Sequence, residues 1–133
     1  MILWARHSDA TRERVAHVGG PLLLTAAALA ATSYITDPAI TMIVLTVAAI
    51  GVFCTFAAFW TLPTAWLSGT AAAGGIALVN SIGNVGGFVG PYLMGWIRER
   101  TGGFTTGLLT LAAILVLGAV IVLRLEQPDE RRF

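Results

Sequence analysis

Charge is the scarcest property of this sequence, and lysine is missing altogether. Charged residues make up 11% of the 133 residues, whereas soluble domains carry roughly 25%. Hydrophobic residues make up 56%, and the mean hydropathy is +0.81. The most apolar stretch, residues 104–123, has no face polar enough to meet water. The composition therefore excludes an ordinary soluble domain and predicts an integral membrane protein.

Features of other protein classes are missing as well. Cys54 is the only cysteine, which excludes a disulfide framework and a cysteine-based metal site. No GxxxxGK[ST] motif occurs, so the chain is not the ATP-hydrolysing part of a pump. A net charge of +1 gives no electrostatic footprint for nucleic acid. We expect no cofactor and no metal site. Because acid, base and nucleophile do not converge in the apolar stretches, we also expect no enzyme.

The few charges divide the chain into uncharged tracts at 15–36, 38–97 and 101–123. A spanning helix needs about 20 apolar residues to cross a hydrocarbon core of about 30 Å. The outer tracts each fit one span, and the central tract fits two. We therefore predict an all-α integral membrane protein with four transmembrane helices, at about residues 18–35, 39–61, 72–97 and 104–124.

The segments between and around these spans follow from local signals. Asp37 is suited to cap the second span and Pro38 to occupy its first turn. Pro63 is expected to end that span, leaving an uncharged connection at 64–71. Residues 1–5 are typical of a helix end, which leads us to expect that the chain has lost what preceded it. A charged loop at 6–17 and a tail at 125–133 complete the organisation.

Arginine placement predicts the orientation. Six arginines flank the first and last spans, against two in the hairpin between the third and fourth, Arg98 and Arg100. Four spans put both chain ends on one side of the membrane. The positive-inside rule then predicts that both termini are cytoplasmic, with the Arg98–Arg100 hairpin as a local exception.

Polar groups within the spans are few and uncharged. Proton coupling through a membrane needs a titratable carboxylate or histidine, so this chain is not expected to carry the proton alone. Asn80 and Asn84 are four residues apart and share one helix face. They either bond to a neighbouring helix or line a polar cavity and bind a substrate. Trp60 is either an interfacial anchor or part of the same site.

The third span is unusually rich in glycine. Gly83 and Gly87, like Gly86 and Gly90, form small-xxx-small pairs, which favour close helix–helix packing over ligand contact. Pro91 follows directly and predicts a kink.

The run FWTLPTAWLSGTAAAGGIALVNSIGNVGGFVGPY at 59–92 closely resembles the tenth and eleventh helices of major facilitator superfamily transporters of the anion:cation symporter family. Members of that family transport tartrate, phthalate, sugar acids and related carboxylates. The resemblance implies that the four spans are helices 9–12 of a twelve-helix fold, with the substrate held between two six-helix halves. It implies that the chain is the C-terminal portion of a secondary transporter that moves small organic anions together with protons, in the bacterial inner membrane. The missing N-terminal part would come from the same gene or an upstream reading frame.

The resemblance also implies residue roles. Trp60 and Asn80 would face the central cavity, with Asn84 one turn further along. Residues 1–5 would end helix 8, and 6–17 would form the cytoplasmic loop after it, where the family pattern reads roughly S-D-R-T-G-E-R-R-W-H. The positions that match the pattern are Ser8, Asp9, Thr11, Glu13, Arg14 and His17. The positions that depart from it are Ala10, Arg12, Val15 and Ala16. Loop charges latch helix ends in one conformation of such transporters, and Asp9 and Arg14 are the candidates here.

Two other functions are alternatives for a four-helix membrane chain. A small four-helix exporter that works as a dimer needs an intramembrane carboxylate, which these spans lack. A non-transporting assembly or regulatory subunit would instead persist by packing on a partner. The geometry of the transporter fold adds one further expectation: four helices from one half offer one wall of a cavity, so the chain alone is not expected to transport.

Overall fold

The computed structural model describes residues 1–67 and 69–125, apart from the side chains of residues 64–66. Six α-helices occupy this part of the chain: α1 (Ile2–Thr11), α2 (Val15–Thr32), α3 (Pro38–Phe59), α4 (Thr61–Trp66), α5 (Gly69–Thr101) and α6 (Thr105–Leu123). Four helical segments are long and apolar enough to cross a membrane: Val15–Thr32, Pro38–Pro63, Gly69–Thr101 and Thr105–Leu123. The predicted all-α fold with four spanning helices is confirmed. Most of the predicted tail, from residue 126, lies outside the described residues.

The start of α3 follows the predicted capping chemistry. The Asp37 carboxylate accepts hydrogen bonds from the backbone N–H groups of Ala39, at 2.8 Å, and Ile40, at 3.0 Å. Pro38 occupies the first turn, where its missing N–H leaves no acceptor unsatisfied. This local sequence therefore fixes where α3 begins without help from the rest of the fold.

The prediction of a charged loop at residues 6–17 was mostly wrong, because most of these residues are helical. α1 continues through Thr11, and α2 already begins at Val15. Charged side chains on a terminal helix can extend into water, so charge alone does not end a helix. The break comes at Arg12, whose φ of 52° is left-handed. The Glu13 carboxylate then accepts from the Ala16 N–H at 2.7 Å and starts the next helix.

The second candidate span ends at Pro63, the expected stop, but a break at Trp60 divides it into two helices. α3 ends at Phe59, and Pro63 lies in the first turn of α4, a position that proline tolerates. The Thr61 hydroxyl donates to the Ala58 carbonyl at 2.7 Å, which satisfies one of the carbonyls freed at the end of α3. Most of the connection predicted at 64–71 is helical, because α4 reaches Trp66 and α5 starts at Gly69.

α2, α3 and α6 form the packed part of the molecule. Gly51 lets α3 approach α2 closely, since a Cβ there would lie 2.9 Å from the Pro21 carbonyl oxygen. Gly19 gives α6 the same access, with a Cβ at 2.6 Å from Leu123. Near Gly19, a small cluster of buried apolar residues joins the start of α2 to the end of α3 and to α4. Its members are Val15, Val18, Ala58 and Leu62, and Val122 of α6 packs against them. The start of α2 and the end of α6 therefore lie at the same end of the bundle.

α5 stands apart from this core. The only residue buried along its described length is Ile97, near its C-terminal end. There the Met94 side chain lies against Gly107 of α6, and at the other end Leu67 lies against Gly75. A Cβ at any of the four predicted packing glycines, Gly83, Gly86, Gly87 and Gly90, would meet nothing within 4 Å. Close packing there stays a prediction, and it requires a helix from beyond the described residues.

Candidate functional site

An open cleft of about 360 Å³ lies between α3 and α5. Seven residues line it: Phe56, Phe59, Trp60, Val79, Asn80, Gly83 and Asn84. The three substrate-binding candidates from the sequence, Trp60, Asn80 and Asn84, therefore share one cavity although they come from two helices. The path of the chain explains this meeting. α4 turns the chain back after Trp60, so the C-terminal end of α3 faces the first half of α5.

The α3 wall of the cleft is aromatic. The half-buried Trp60 ring meets Phe56 edge-on, with ring centroids 6.0 Å apart and planes at 82°. Phe59 makes a second edge contact at 5.4 Å and 76°. Such contacts contribute about 0.5–1.5 kcal/mol each beyond area burial, so they hold the indole plane in place. Sequence reasoning missed both phenylalanines, although Phe56 is four residues before Trp60 and so shares its helix face.

The α5 wall of the cleft carries the two amides. Asn80 and Asn84 are exposed, and within the described chain neither side chain has a hydrogen-bond partner. The neighbouring Ser81 hydroxyl instead donates to its own helix, to the Ala77 carbonyl at 2.8 Å. Each amide offers two N–H donors and one carbonyl acceptor. The cleft lining thus combines hydrogen-bonding groups with aromatic surface and contains no charged side chain.

A second polar cluster joins α1 to α2 and contains the two latch candidates, Asp9 and Arg14. The Arg14 guanidinium forms an ion pair with the Asp9 carboxylate at 3.0 Å. The two latch candidates thus contact each other across the α1–α2 turn. The Asp9 side chain is 64% exposed, and exposed pairs contribute about 0–1 kcal/mol. The Arg14 side chain is 17% exposed, and the role of the pair as a latch stays a prediction.

His17 anchors the same turn more firmly, and sequence reasoning did not single it out as a site. Its Nδ1 lies 2.7 Å from the Glu13 carboxylate, and its Nε2 lies 2.8 Å from Nδ1 of His7. The Trp4 indole N–H donates to the His17 carbonyl at 2.9 Å. Both ring nitrogens of this buried residue are therefore occupied. The Glu13–His17 spacing of four was the available signal. Among the described residues, no three His, Cys, Asp or Glu side chains group as metal ligands would.

Comparison with known proteins identifies the class. Over 131 residues the chain is 50% identical to an Agrobacterium vitis protein provisionally named a tartrate transporter, covering 98% of this chain and 29% of that protein. It is 42% identical over 121 residues to the inner membrane transport protein RhmT of Escherichia coli K12, covering 91% and 28%. A quinolone resistance transporter of Acinetobacter baumannii is 36% identical over 132 residues, covering 99% and 30%. No protein-family profile and no solved structure matches the chain.

Four helices long and apolar enough to cross a membrane, together with relatives named as transporters, indicate a multi-pass membrane protein. The chain is similar to a part of these relatives, in agreement with the resemblance of its sequence to the C-terminal part of a major facilitator-type transporter. It spans about 29% of the length of the relatives it matches. The relatives are named as transporters, which agrees with the expectation of a protein that is not an enzyme.

Proposed function

We propose that this chain forms one wall of the substrate site in a secondary transporter that moves small organic anions together with protons. The observation that carries the proposal is the meeting of Trp60, Asn80 and Asn84 in one cleft. Two of these residues were assigned to a central cavity by resemblance and the third by helical spacing. Independent signals from two helices thus converge on one volume, which supports its use as a binding site.

The chemistry of this wall suits hydroxylated carboxylates. The amide N–H groups of Asn80 and Asn84 can donate to carboxylate or hydroxyl oxygens, and the amide carbonyls can accept from hydroxyls. The Trp60 ring, held by Phe56, offers an apolar face to the carbon skeleton. A hydrogen bond to a charged group contributes about 1.5–3 kcal/mol. The lining has no cation to balance a carboxylate, so we assign the balancing charge to the opposite half of the transporter.

Proton coupling is assigned to that missing part as well. Between the ends of the four described spans, no side chain is an aspartate, a glutamate or a histidine. His17 and Glu99, the nearest candidates, lie at the ends of α2 and α5. Proton-coupled transport uses intramembrane titratable groups. We therefore infer that this chain supplies substrate contacts and that helices encoded upstream supply the coupling carboxylates.

Orientation and location complete the proposal. We place the protein in a bacterial inner membrane with both termini in the cytoplasm, following the arginine distribution. The common position of the start of α2 and the end of α6 supports both ends lying on one side. The partner would be the N-terminal part of the transporter, from the same gene or an upstream reading frame.

A chimera tests the substrate site directly. The corresponding region of the Agrobacterium vitis relative, 50% identical over 131 residues, is replaced by this chain, and uptake of labelled tartrate is measured in cells. Asn80→Ala should lower uptake about tenfold or more, because one hydrogen bond to a charged group is lost. Ser81→Ala is the matched control, since its hydroxyl bonds to its own helix. Equal uptake by the two variants would contradict the assignment of Asn80.

A further inference from the structure

The hairpin between α5 and α6 holds the two arginines that the positive-inside rule does not explain. Arg98 and Arg100 lie in the last turn of α5 and are both exposed. The Arg98 guanidinium carbon is 4.7 Å from the centroid of the Phe104 ring. The Arg100 guanidinium carbon is 5.3 Å from the centroid of the Trp96 ring. Each arginine therefore has its own aromatic support, at cation–π distance.

The length of α5 places these pairs at lipid-headgroup depth. Its 33 residues, at 1.5 Å each, span about 50 Å, against a hydrocarbon core of about 30 Å. With its central residue, Val85, at the bilayer midplane, Trp96 lies about 16 Å out, at the edge of the hydrocarbon. Arg98 and Arg100 then lie about 20 and 22 Å out, within the headgroup layer.

The hydrogen-bonding capacity of both guanidinium groups is available at that depth. Within residues 1–67 and 69–125, neither arginine takes part in an ion pair or a side-chain hydrogen bond. A guanidinium over the face of a ring still has N–H donors that do not point at the ring, and a phosphate can accept two of them. Residues two apart on a helix point about 200° away from each other. The two pairs therefore face different lipids.

We propose that Phe104–Arg98 and Trp96–Arg100 are two separate binding sites for the phosphate groups of anionic phospholipids. The aromatic ring fixes each pair at the hydrocarbon edge, and the arginine reaches the phosphate above it. Positive charge on this side of the membrane is then an anchor for lipid headgroups. The proposal does not depend on what the transporter carries.

Native mass spectrometry of the purified 133-residue chain, titrated with phosphatidylglycerol in detergent, tests this proposal. Arg98→Gln and Arg100→Gln should each weaken lipid binding about fivefold, from about 1 kcal/mol per arginine near an anionic surface. Because the sites are separate, each single variant should weaken the binding of only one of two lipids, and the double variant should weaken both by about fivefold. Phosphatidylcholine should bind the wild-type chain more weakly than phosphatidylglycerol. Excess inorganic phosphate should not displace the bound lipid.

Control variants test whether lipid binding needs the aromatic–arginine pairs or only the positive charge. Phe104→Leu and Trp96→Leu keep both arginines and should still weaken binding, whereas Tyr92→Leu removes an exposed aromatic residue without an arginine partner and should not. Arg98→Lys keeps the positive charge and serves as a conservative variant in case Arg98→Gln misfolds. Its lipid affinity should lie between those of wild type and Arg98→Gln. Wild-type affinity in the double glutamine variant would overturn the proposal. Unchanged binding in both leucine variants would overturn the paired geometry, and displacement by inorganic phosphate would overturn the lipid as ligand.

Discussion

The contact between α2 and α3 at Gly51 offers the sharpest test of how the bundle is held together. A methyl group at this position would lie 2.9 Å from the Pro21 carbonyl oxygen and closer still to the Thr25 hydroxyl. The carbonyl belongs to the backbone, so Gly51→Ala can be accommodated only if the two helices move apart. The Thr25 hydroxyl shares its hydrogen between the Pro21 carbonyl, at 2.9 Å, and the Ala48 carbonyl of α3, at 3.3 Å, and separation also weakens this second contact.

The expected cost follows from these two terms. Overpacking of a tight contact costs about 1–3 kcal/mol. The interhelical hydrogen bond adds about 0.6 kcal/mol, the average measured within membranes. These two terms sum to about 1.6–3.6 kcal/mol, and the roughly 1 kcal/mol that alanine gains over glycine in a helix leaves a net destabilisation of about 0.6–2.6 kcal/mol. Without the contact, alanine would have been favoured, because glycine costs about 1 kcal/mol in a helix interior.

Unfolding in detergent micelles, followed by circular dichroism against added denaturing detergent, measures this difference. Gly118→Ala in α6 is the matched control, since a Cβ there meets nothing within 4 Å. The control should unfold at the wild-type detergent fraction or above it, while Gly51→Ala should unfold earlier. If both variants unfold together with wild type, the α2–α3 contact described above is not what stabilises the bundle.

Four other predictions concern separate parts of the chain. His17→Ala removes the partner of Glu13 and should destabilise the α1–α2 turn by about 1–3 kcal/mol, seen as faster tryptic cleavage there than in wild type. A reporter fused after Phe133 should be active in the cytoplasm and one inserted at 98–103 outside; the reverse pattern would disprove the orientation. Gly87→Leu should leave the isolated chain folded but lower the yield of the intact transporter, and a normal yield would mean that this face meets no helix. Purified chain alone in liposomes should show no gradient-driven, saturable carboxylate uptake; observing such uptake would refute the one-wall proposal.

Glycine shows where sequence reasoning about packing stops. The sequence singled out Gly83, Gly86, Gly87 and Gly90, because their spacing is typical of helix–helix contacts. Within the described chain, the glycines at which a Cβ would meet another atom closer than 3 Å are instead Gly19, Gly51, Gly75 and Gly107. A spacing motif states that a helix face is able to pack, but the neighbour that covers it is a property of the whole fold.

The residues of the candidate cleft were likewise only partly predictable from the sequence. The resemblance assigned Trp60 and Asn80 to a cavity, and helical spacing added Asn84. Phe56 and Phe59 were missed because aromatic residues in an apolar span carry no distinctive signal by themselves. Their contribution lies in the angle at which they meet Trp60, and an angle between rings cannot be derived from composition.

The sequence by itself determined that this protein spans a membrane four times, and it determined where α3 begins. Transfer into lipid is close to a sum over consecutive residues, and the Asp37 cap acts within three residues, so both are local properties. Only the tertiary structure decided that α2, α3 and α6 pack together while α5 stands apart. It also decided that Trp60 and Asn80 line one cleft and that His17 joins His7 to Glu13. These contacts depend on the relative placement of separate helices, which a sequence window of a few residues does not contain.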